Sequence, residues 1–406
     1  MISDWGERPI SALIVRLDSG ASVNSENRQI RADEMGVLKV SAVSYGHFDP
    51  MAHKAVVSPS EQQRLTVTPK ADTVLVSRAN TYELVGASVY VGKDYPGLFL
   101  SDKLWRITTN PDCTARWLNY VLATEDIRLR IVHRATGTSG SMKNISQQAF
   151  LAIRVQVPPI NEQRKIAAIL GTWDEAIALT ERRIAAGQQR KQGLMQRLLT
   201  GDVRFPEFAR ELWKSVRLGE VFDERRETGY NDLPLLAITG DQGIIYRDEL
   251  DKRDTSAADK SRYLRICPGD IGYNTMRMWQ GRSAVSKLEG IVSPAYTICT
   301  PKASLDVDFI GYLFQFPETV HAFRRNSQGL VSDTWNLKFD AFAKIKVTIP
   351  SRQEQHRIAE VLTACDRELD LLARKRDALQ RQKRGLMQQL LTGRVRVKGL
   401  DHGDAK

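Results

Sequence analysis

Cysteine and histidine are scarce in this sequence of 406 residues, which contains four cysteines and six histidines. The cysteines lie far apart and form no CxxC pair, and the histidines show no metal-ligand spacing. These absences argue against a zinc ribbon or a disulfide framework and suit a reducing compartment. The sequence therefore predicts no metal site.

Catalytic motifs are also missing. There is no GxxxxGK[ST] phosphate loop, no GxGxxG after a strand and no HExxH. The run that begins at Gly137 misses GxSxG because position 141 is Ser, and Asn110-Pro111-Asp112 fails to match the Asn/Asp-Pro-Pro-aromatic tetrapeptide of amino-methyltransferases. We expect no catalytic residue.

Long apolar runs are absent, since no segment approaches the roughly 18–20 residues that cross a bilayer. The first residues, MISDWGERPI, lack the pattern of a signal peptide, so a cytoplasmic protein without a membrane partner is expected. Positive charge is in excess, with 59 Lys and Arg against 48 Asp and Glu, a net charge of +11. This excess favours a polyanionic partner, nucleic acid before membrane, although a merely soluble basic protein fits the charge equally well.

An internal repeat organises the chain. Residues 158–205 align without a gap with residues 350–397, at an offset of 192 and with 22 identities in 48 positions. The offset continues upstream more weakly, since Gly137 matches Gly329 and Asn144 matches Asn336. The chain is thus a duplicated unit with a diverged first part and a closely kept second part. The predicted segments are two diverged domains (1–157 and 206–349), two repeated helical segments (158–205 and 350–397) and a tail (398–406).

The kept segments carry an apolar stripe with helical 4-3 spacing over about four heptads, which indicates a coiled coil. The stripe comprises Ile166, Leu170, Trp173, Ile177, Ile184, Leu194 and Leu198 in the first copy and Ile358, Leu362, Cys365, Leu369, Leu372, Leu379, Leu386 and Leu390 in the second. Thr180, Gly187 and Lys191 weaken it in the first copy, and Arg376 and Lys383 interrupt it in the second. Two helices of roughly 60 Å most economically bury these stripes against each other as an antiparallel pair that acts as a spacer. A helix buried within a bundle is the alternative.

Both helices have basic outer faces, which are either solvated or directed at a partner subunit or DNA phosphates. The basic residues are Arg182, Arg183, Arg190, Lys191, Arg374, Lys375, Arg376, Arg381, Lys383 and Arg384.

The diverged parts contain short β-rich runs between turn residues, followed by a helical stretch around 113–131 and around 306–325. The predicted strands lie in 36–43, 72–80, 87–92 and 103–109 of the first copy and in 233–238, 270–275, 290–300 and 344–350 of the second. The predicted fold class is α+β, with two mostly-β recognition domains separated by two long repeated helices that form an antiparallel coiled coil.

Loops between these strands contain the side chains that read base edges and phosphates. Arg contacts guanine and Asn or Gln contacts adenine, each good pair discriminating by about 1–3 kcal/mol. The candidate DNA-binding residues are Arg78, Asn80, Tyr82, Thr138, Ser139, Lys143 and Asn144 in the first copy and Asn274, Thr275, Arg277, Trp279, Gln280, Arg282, Ser332, Trp335 and Asn336 in the second. Any single one could be a plain loop residue, but the clustering recurs in equivalent loops of both copies.

This arrangement resembles the specificity subunit of type I restriction–modification systems. The helical segments open with P-x-x-x-EQ-x-x-IA and close with GLMQ-x-LLTG, as in Glu162-Gln163 and Glu354-Gln355, and LWKSVRLGEVF (212–222) resembles a family domain start. The first domain departs from that start at Asp18-Ser19, where the second has Gly219-Glu220.

The resemblance implies that each domain reads one half of a split site in double-stranded DNA and that the coiled coil sets the spacing. It also implies two modification (methyltransferase) subunits that bind S-adenosylmethionine and methylate adenine, and restriction subunits that use ATP with Mg²⁺. These cofactors would belong to the partners and not to this chain. Two alternatives remain open at this point, an enzyme with its catalytic part elsewhere and a coiled-coil scaffold that does not bind DNA.

Overall fold

A computed structural model describes residues 5–137, 142–240, 242–250, 259–329 and 334–397. The chain divides into two compact units. Unit 1 comprises Met1–Leu179 with Lys375–Lys406, and unit 2 comprises Thr180–Arg374. Each unit therefore combines one diverged segment, the first half of the long helix that follows it, and the second half of the other long helix.

Unit 1 is a mixed α+β unit built around small sheets. Its strands are β1 (Gly6–Pro9), β2 (Ile14–Ser19), β3 (Met35–Leu38), β4 (Val43–Ser44), β5 (His47–Phe48), β6 (His53–Val56), β7 (Thr73–Ser77), β8 (Ala79–Asn80), β9 (Ser88–Val91), β10 (Leu98–Phe99), β11 (Leu104–Thr109), β12 (Lys143–Asn144) and β13 (Arg154–Val157). Its helices are α1 (Pro59–Gln62), α2 (Ala115–Leu122), α3 (Glu125–Arg134), α4 (Gln147–Leu151) and the first part of α5 (Ile160–Leu199). The largest sheet is antiparallel, in the order β2-β11-β7-β9.

Unit 2 repeats this plan with fewer strands among its described residues. The strands are β14 (Lys214–Arg217), β15 (Phe222–Arg225), β16 (Leu236–Ile238), β17 (Ile244–Tyr246), β18 (Leu264–Ile266), β19 (Ile271–Asn274), β20 (Ser283–Val285), β21 (Gly290–Val292), β22 (Tyr296–Pro301) and β23 (Lys346–Ile349). The helices are α6 (Leu218–Val221), α7 (Val307–Gln315), α8 (Pro317–Asn326), α9 (Phe339–Phe342) and the first part of α10 (Arg352–Leu390). Its main antiparallel sheet has the order β15-β22-β19-β20, which matches that of unit 1.

Local sequence explains the main elements. All five residues of β7, TVLVS, are buried, as expected for an inner strand of β-branched and aliphatic residues. Helices α2 and α7 each start at a side-chain cap, because Thr114 accepts from the Trp117 N–H and Asp306 accepts from the Phe309 N–H. The equivalent helices of the two units therefore begin at the same place for the same reason.

Each hydrophobic core closes only with residues from both long helices. In unit 1, Ile166 and Leu170 of α5 are buried in the same cluster as Leu390 and Leu391 at the end of α10. In unit 2, Ile358 and Leu362 of α10 share a core with Leu198 and Leu199 of α5. The paired segments run antiparallel within each unit, because residues early in one helix meet residues late in the other.

Some sequence predictions differ in detail from the observed elements. The predicted strand 36–43 breaks into β3, a 3₁₀ turn at Val40–Ala42 and β4, and 290–300 holds two strands, β21 and β22, that belong to different sheets. Gly187, which weakens the apolar stripe, lies against Leu369, since a Cβ on Gly187 would come within 2.9 Å of the leucine Cδ2. The glycine that interrupts the apolar stripe of α5 thus leaves room for the Leu369 side chain of α10.

Candidate nucleic-acid interface

The structure brings the described candidate residues of unit 1 to one place. Strand β8 follows β7 after a single residue and pairs with β12, with Asn80 opposite Lys143. The Ile145 N–H donates to the Arg78 carbonyl oxygen at 3.0 Å, which holds the two loops together. Thr138 and Ser139, also predicted here, lie outside the described residues.

The side chains of this cluster differ in how free they are. The Arg78 guanidinium carbon lies 6.0 Å from the centre of the Trp105 ring, and its Nε is buried. The Asn80 amide donates to Ser77 Oγ at 3.2 Å and its oxygen accepts from the Thr81 N–H at 2.9 Å. Tyr82, by contrast, is 46% exposed. Arg78 and Asn80, which have the best base-reading chemistry, are therefore engaged in local contacts. The surface that a ligand could reach is formed mainly by their neighbours, such as Tyr82.

A second loop cluster forms in unit 2 at the equivalent end of the main sheet. The connection from β19 to β20 contains a 3₁₀ turn at Met278–Gln280 and carries the predicted residues Asn274 to Arg282. The Leu337 N–H donates to the Thr275 carbonyl oxygen at 2.8 Å, so Trp335 and Asn336 join this connection. Ser332 lies outside the described residues.

Packing holds the unit 2 connection in a defined conformation. Met278 is fully buried beneath the turn, and the Met276 N–H donates to Asn274 Oδ1 at 3.0 Å. The Trp279 Nε1–H donates to the Met276 carbonyl oxygen at 3.0 Å. The rings of Trp279 and Trp335 meet edge to face, with centroids 5.4 Å apart and planes at 81°. A preformed surface of this kind loses little entropy when it binds a ligand.

The two clusters share one backbone frame. Thr136 bridges Asn144 in unit 1 and Gln328 bridges Asn336 in unit 2, each pair shifted by 192. In each bridge the two residues are eight positions apart in sequence. The residue after the bridge donates its N–H to the loop that follows the central strand, from Ile145 to Arg78 and from Leu337 to Thr275. Side chains within the frame differ between units, so each unit presents its own pattern of donors, acceptors and apolar groups.

Sequence reasoning missed several residues at these surfaces. Met142 and Met276 are each 47% exposed beside the predicted residues. Arg324, at the end of α8, places its guanidinium carbon 5.4 Å from the centre of the Trp335 ring. For the two methionines, the sequence signal that could have found them was their position next to predicted loop residues. For Arg324 it was the basic end of a predicted helical stretch.

The Glu-Gln pair at the start of each long helix organises the helix ends. Glu162, buried at 7% exposure, accepts from Arg396 Nε at 2.9 Å, Arg396 Nη2 at 2.8 Å and Trp5 Nε1 at 3.2 Å. The Arg396 hydrogen bond lowers the pKa of the Glu162 carboxyl from its usual range. Glu162 thus ties the start of α5 to the segment that follows α10.

The equivalent cluster in unit 2 has the same partners. Glu354 accepts from Arg204 Nε at 2.9 Å, Arg204 Nη2 at 2.6 Å and Trp213 Nε1 at 3.1 Å. Its carboxylate is 1% exposed, and the Glu354 hydrogen bond raises the pKa of the Arg204 guanidinium. Both clusters therefore join helix ends that are distant in sequence within one unit.

The glutamine of each pair holds a different element. Gln163 Oε1 accepts from the Thr114 N–H at 3.0 Å, and its amide donates to the Asp112 carbonyl oxygen at 2.9 Å. Gln355 Oε1 likewise accepts from the Asp306 N–H at 2.9 Å. The glutamine thus fixes the cap of α2 or α7 against the long helix.

Two lysines predicted on the outer helix faces lie instead at the helix pairing. Lys383 Nζ is 2.5 Å from Asp174 Oδ1, and Tyr120 donates to the same carboxylate at 2.5 Å. Lys191 Nζ is 2.6 Å from Asp366 Oδ1, and Tyr312 donates to that carboxylate at 2.7 Å. Their side chains are 19% and 20% exposed, so their predicted place on the basic outer faces was wrong, whereas their predicted place as interruptions of the apolar stripe agrees with the structure. A carboxylate on the facing element attracts each ammonium group inward.

Further basic residues of the helices are paired on the surface, Arg190 with Glu368 and Arg374 with Asp370.

Within the described ranges, no group of three or more His, Cys, Asp and Glu side chains could hold a metal ion. No helix in the described part of the chain is long and apolar enough to cross a membrane.

The fold and the two loop clusters define a duplicated α+β recognition protein with two long helices. A family model described as the type I restriction modification DNA specificity domain matches residues 14–186 and again residues 210–381. Because these matches cover most of the sequence, the chain belongs to the type I restriction–modification DNA specificity family.

Individual relatives agree with this assignment. The type I restriction enzyme MjaVIII specificity subunit of Methanocaldococcus jannaschii is 24% identical over 310 residues, covering 70% of this chain and 71% of the relative. The putative type I restriction enzyme MjaX specificity subunit of the same organism is 23% identical over 432 residues, covering 97% and 94%.

Solved structures share the fold. The S subunit of a type I restriction–modification system from M. genitalium has a TM-score of 0.60 at 14% identity, with 96% of each chain covered. A chain from a structure on complex assembly and conformational transition of the type I system has a TM-score of 0.56 at 19% identity, covering 97% of this chain and 99% of that one. The observed architecture confirms the predicted fold class.

Proposed function

We propose that this chain selects the DNA sequence on which a type I restriction–modification complex acts, with each unit reading one half of a bipartite site. The observation that carries the proposal is the shared frame of the two loop clusters. Their bridges occur at positions shifted by 192, yet the side chains within them differ. Two such surfaces suit two different short sequences read by one protein.

The long helices set the distance between the two halves of the site. They keep 22 identities in 48 positions while the loop-bearing segments have diverged. A spacer and a docking surface work in the same way in both copies, whereas the reading surfaces must differ. The Glu162 and Glu354 clusters support this role, because they fix the ends of the helices within each unit.

The partners are two modification subunits and the restriction subunits, which dock on the repeated helices. A helical segment present in two copies offers two equivalent docking surfaces, which suits two copies of one partner. S-adenosylmethionine, ATP and Mg²⁺ bind to those subunits, and this chain contributes recognition and no catalysis. The complex acts on double-stranded DNA in the cytoplasm. The relatives named as specificity subunits support these assignments.

The test is to co-express the chain with its modification subunit in a host free of DNA methylation and to map modified bases across the genome. We expect a split motif of two short specific halves around a fixed gap. Exchanging residues 206–349 for those of a relative should change one half only, and the reciprocal exchange of residues 1–157 should change the other.

Two results would count against the proposal. If the complex forms and binds S-adenosylmethionine but modifies no split motif, the chain does not select the sequence. If either exchange alters both halves at once, the two units do not read separate halves. A scaffold role would then explain the repeated helices better.

A further inference from the structure

Gly240 lies in the turn between β16 and β17. The Thr239 N–H donates to the Gly243 carbonyl oxygen at 2.8 Å, and the Gln242 N–H donates to Thr239 Oγ1 at 3.0 Å. The backbone of Gly240 is outside the left-handed region, so its conformation does not require glycine. What requires glycine is space at this point of the turn.

The space is filled by Arg282. A Cβ added to Gly240 would lie 2.5 Å from the Arg282 Cζ, 3.0 Å from its Cδ and closer still to its Nη1. The guanidinium therefore lies directly against the Gly240 backbone. A planar group held in this way keeps its orientation before it meets a ligand.

Arg282 also stands at the loop surface of unit 2. Its carbonyl oxygen accepts from the Asn274 N–H at 3.2 Å, which places it where β19 and β20 come together beside the β19–β20 connection. The side chain is exposed. The ion pairs among the described residues do not include Arg282. An oriented and exposed guanidinium can donate two parallel hydrogen bonds to a planar acceptor pair.

The other arginines near the two loop clusters are placed differently. Arg78 lies over Trp105 with a buried Nε, and Arg324 lies over Trp335. Arg277 is exposed in the β19–β20 connection, beside the exposed Met276. A phosphate contact carries no sequence information, whereas bidentate contact with guanine O6 and N7 needs the guanidinium in a fixed plane at a base edge.

We propose that Arg282 reads a guanine in the half-site of unit 2 and that Gly240 is the positioning residue that orients its guanidinium. This inference rests on the proposed function and assigns one base class to one residue. Arg277 then serves as a phosphate contact that adds affinity without sequence preference.

The test compares four variants of the full-length chain in complex with its modification subunit. Arg282→Ala and Gly240→Ala should both relax the methylation motif at one G·C position of one half, with discrimination there falling roughly 10- to 100-fold. Arg277→Ala should weaken binding to all duplexes and reduce the salt slope of the affinity by about 1 while it leaves the motif unchanged. Gly6→Ala adds the same methyl group in open space in unit 1 and should change neither property.

Gly240→Ala should leave the fold intact, because the added methyl group meets only the end of the exposed Arg282 side chain, which it displaces toward solvent, and not the backbone. Thermal unfolding of each variant checks this point. If Gly240→Ala has the same Tm as the wild type but a relaxed methylation motif, Gly240 has a positioning role and not merely a structural one.

A base analogue isolates the contact itself. Each guanine of the half-site is replaced in turn by 7-deazaguanine, which lacks the N7 acceptor. At one position the wild-type complex should lose roughly tenfold in affinity, and the Arg282→Ala complex should lose nothing further there.

Two results would overturn the assignment of Arg282: the Arg282→Ala complex keeps the wild-type motif, or 7-deazaguanine weakens the Arg282→Ala complex as much as the wild type. A Gly240→Ala complex that retains full discrimination would overturn the positioning role of Gly240. Failure of the proposed function would look different, because the wild-type complex would then produce no split motif with which to compare the variants.

Discussion

Removal of the Glu354 carboxylate should destabilise this protein more than any exposed charge on the same helix. Glu354 is fully buried, and its two oxygens accept from Arg204 at 2.9 and 2.6 Å and from Trp213 at 3.1 Å. Alanine at this position leaves the Arg204 guanidinium, 19% exposed, without its counter-charge. It also leaves the Trp213 Nε1–H without its acceptor.

The expected cost follows from this burial. Breaking a buried ion pair by removing one partner costs about 3–5 kcal/mol. For a unit of this size, each kcal/mol lowers Tm by roughly 2–4 °C, so Glu354→Ala should lower the Tm of unit 2 by roughly 6–20 °C. Glu360 provides a matched control on the same helix, because it pairs with Arg357 and is 47% exposed. Glu360→Ala should cost less than about 1 kcal/mol.

The assay is thermal and urea unfolding of the full chain, monitored by circular dichroism, for Glu354→Ala, Arg204→Ala, the double variant and the Glu360→Ala control. A double-mutant cycle isolates the energy of the pair from the other contacts of each residue. We expect the double variant to cost much less than the sum of the single variants. The reasoning is refuted if Glu354→Ala costs no more than Glu360→Ala or if the two single costs simply add.

Three further outcomes are expected. The pKa of the Glu162 carboxyl is lowered in the folded chain. Its contribution to the stability of the folded state is therefore present above the usual pKa of 4.5 and is lost as pH falls below that value. The difference in urea midpoint between wild type and Glu162→Gln should shrink from pH 7 to pH 4. Lys191→Met and Lys383→Met should each lower the free energy of unfolding by about 1 kcal/mol, because each removes one ion pair with a half-exposed aspartate. The two losses, measured by chemical denaturation, should add because the residues lie in different units. Gly193→Ala and Gly385→Ala should each raise stability by about 0.5–1 kcal/mol, because a Cβ at either helical position meets nothing within 4 Å; an unchanged urea midpoint would contradict this.

The helices could be predicted closely because their signals are local. The repeated apolar spacing predicted helices within 158–205 and 350–397, and the structure has them at Ile160–Leu199 and Arg352–Leu390. Strands were located less exactly, because a short apolar run does not show where a turn interrupts it. The run 290–300 became two strands in different sheets, since each half pairs with a different distant segment.

The loop clusters could be predicted as groups but not as individual contacts. The repeat offset and the polar composition indicated that equivalent loops carry the same role, and the bridges at Asn144 and Asn336 bring those loops together. Which side chains are free depends on neighbours far away in sequence. Arg78 lies over the buried Trp105 ring, and Arg282 lies against Gly240, and neither relation follows from the local pattern.

By itself, the amino-acid sequence determined the duplication, the two long helices, the α+β class of each diverged segment and the family resemblance. These features rest on periodicity and on matches between positions, which local residues encode. Only the tertiary structure decided that Glu162 and Glu354 join distant helix ends and that Lys191 and Lys383 pair with aspartates. The two glutamate contacts arise because folding brings together, within each unit, charges that are about 150 to 230 residues apart, and a buried carboxylate is stable only with its partner.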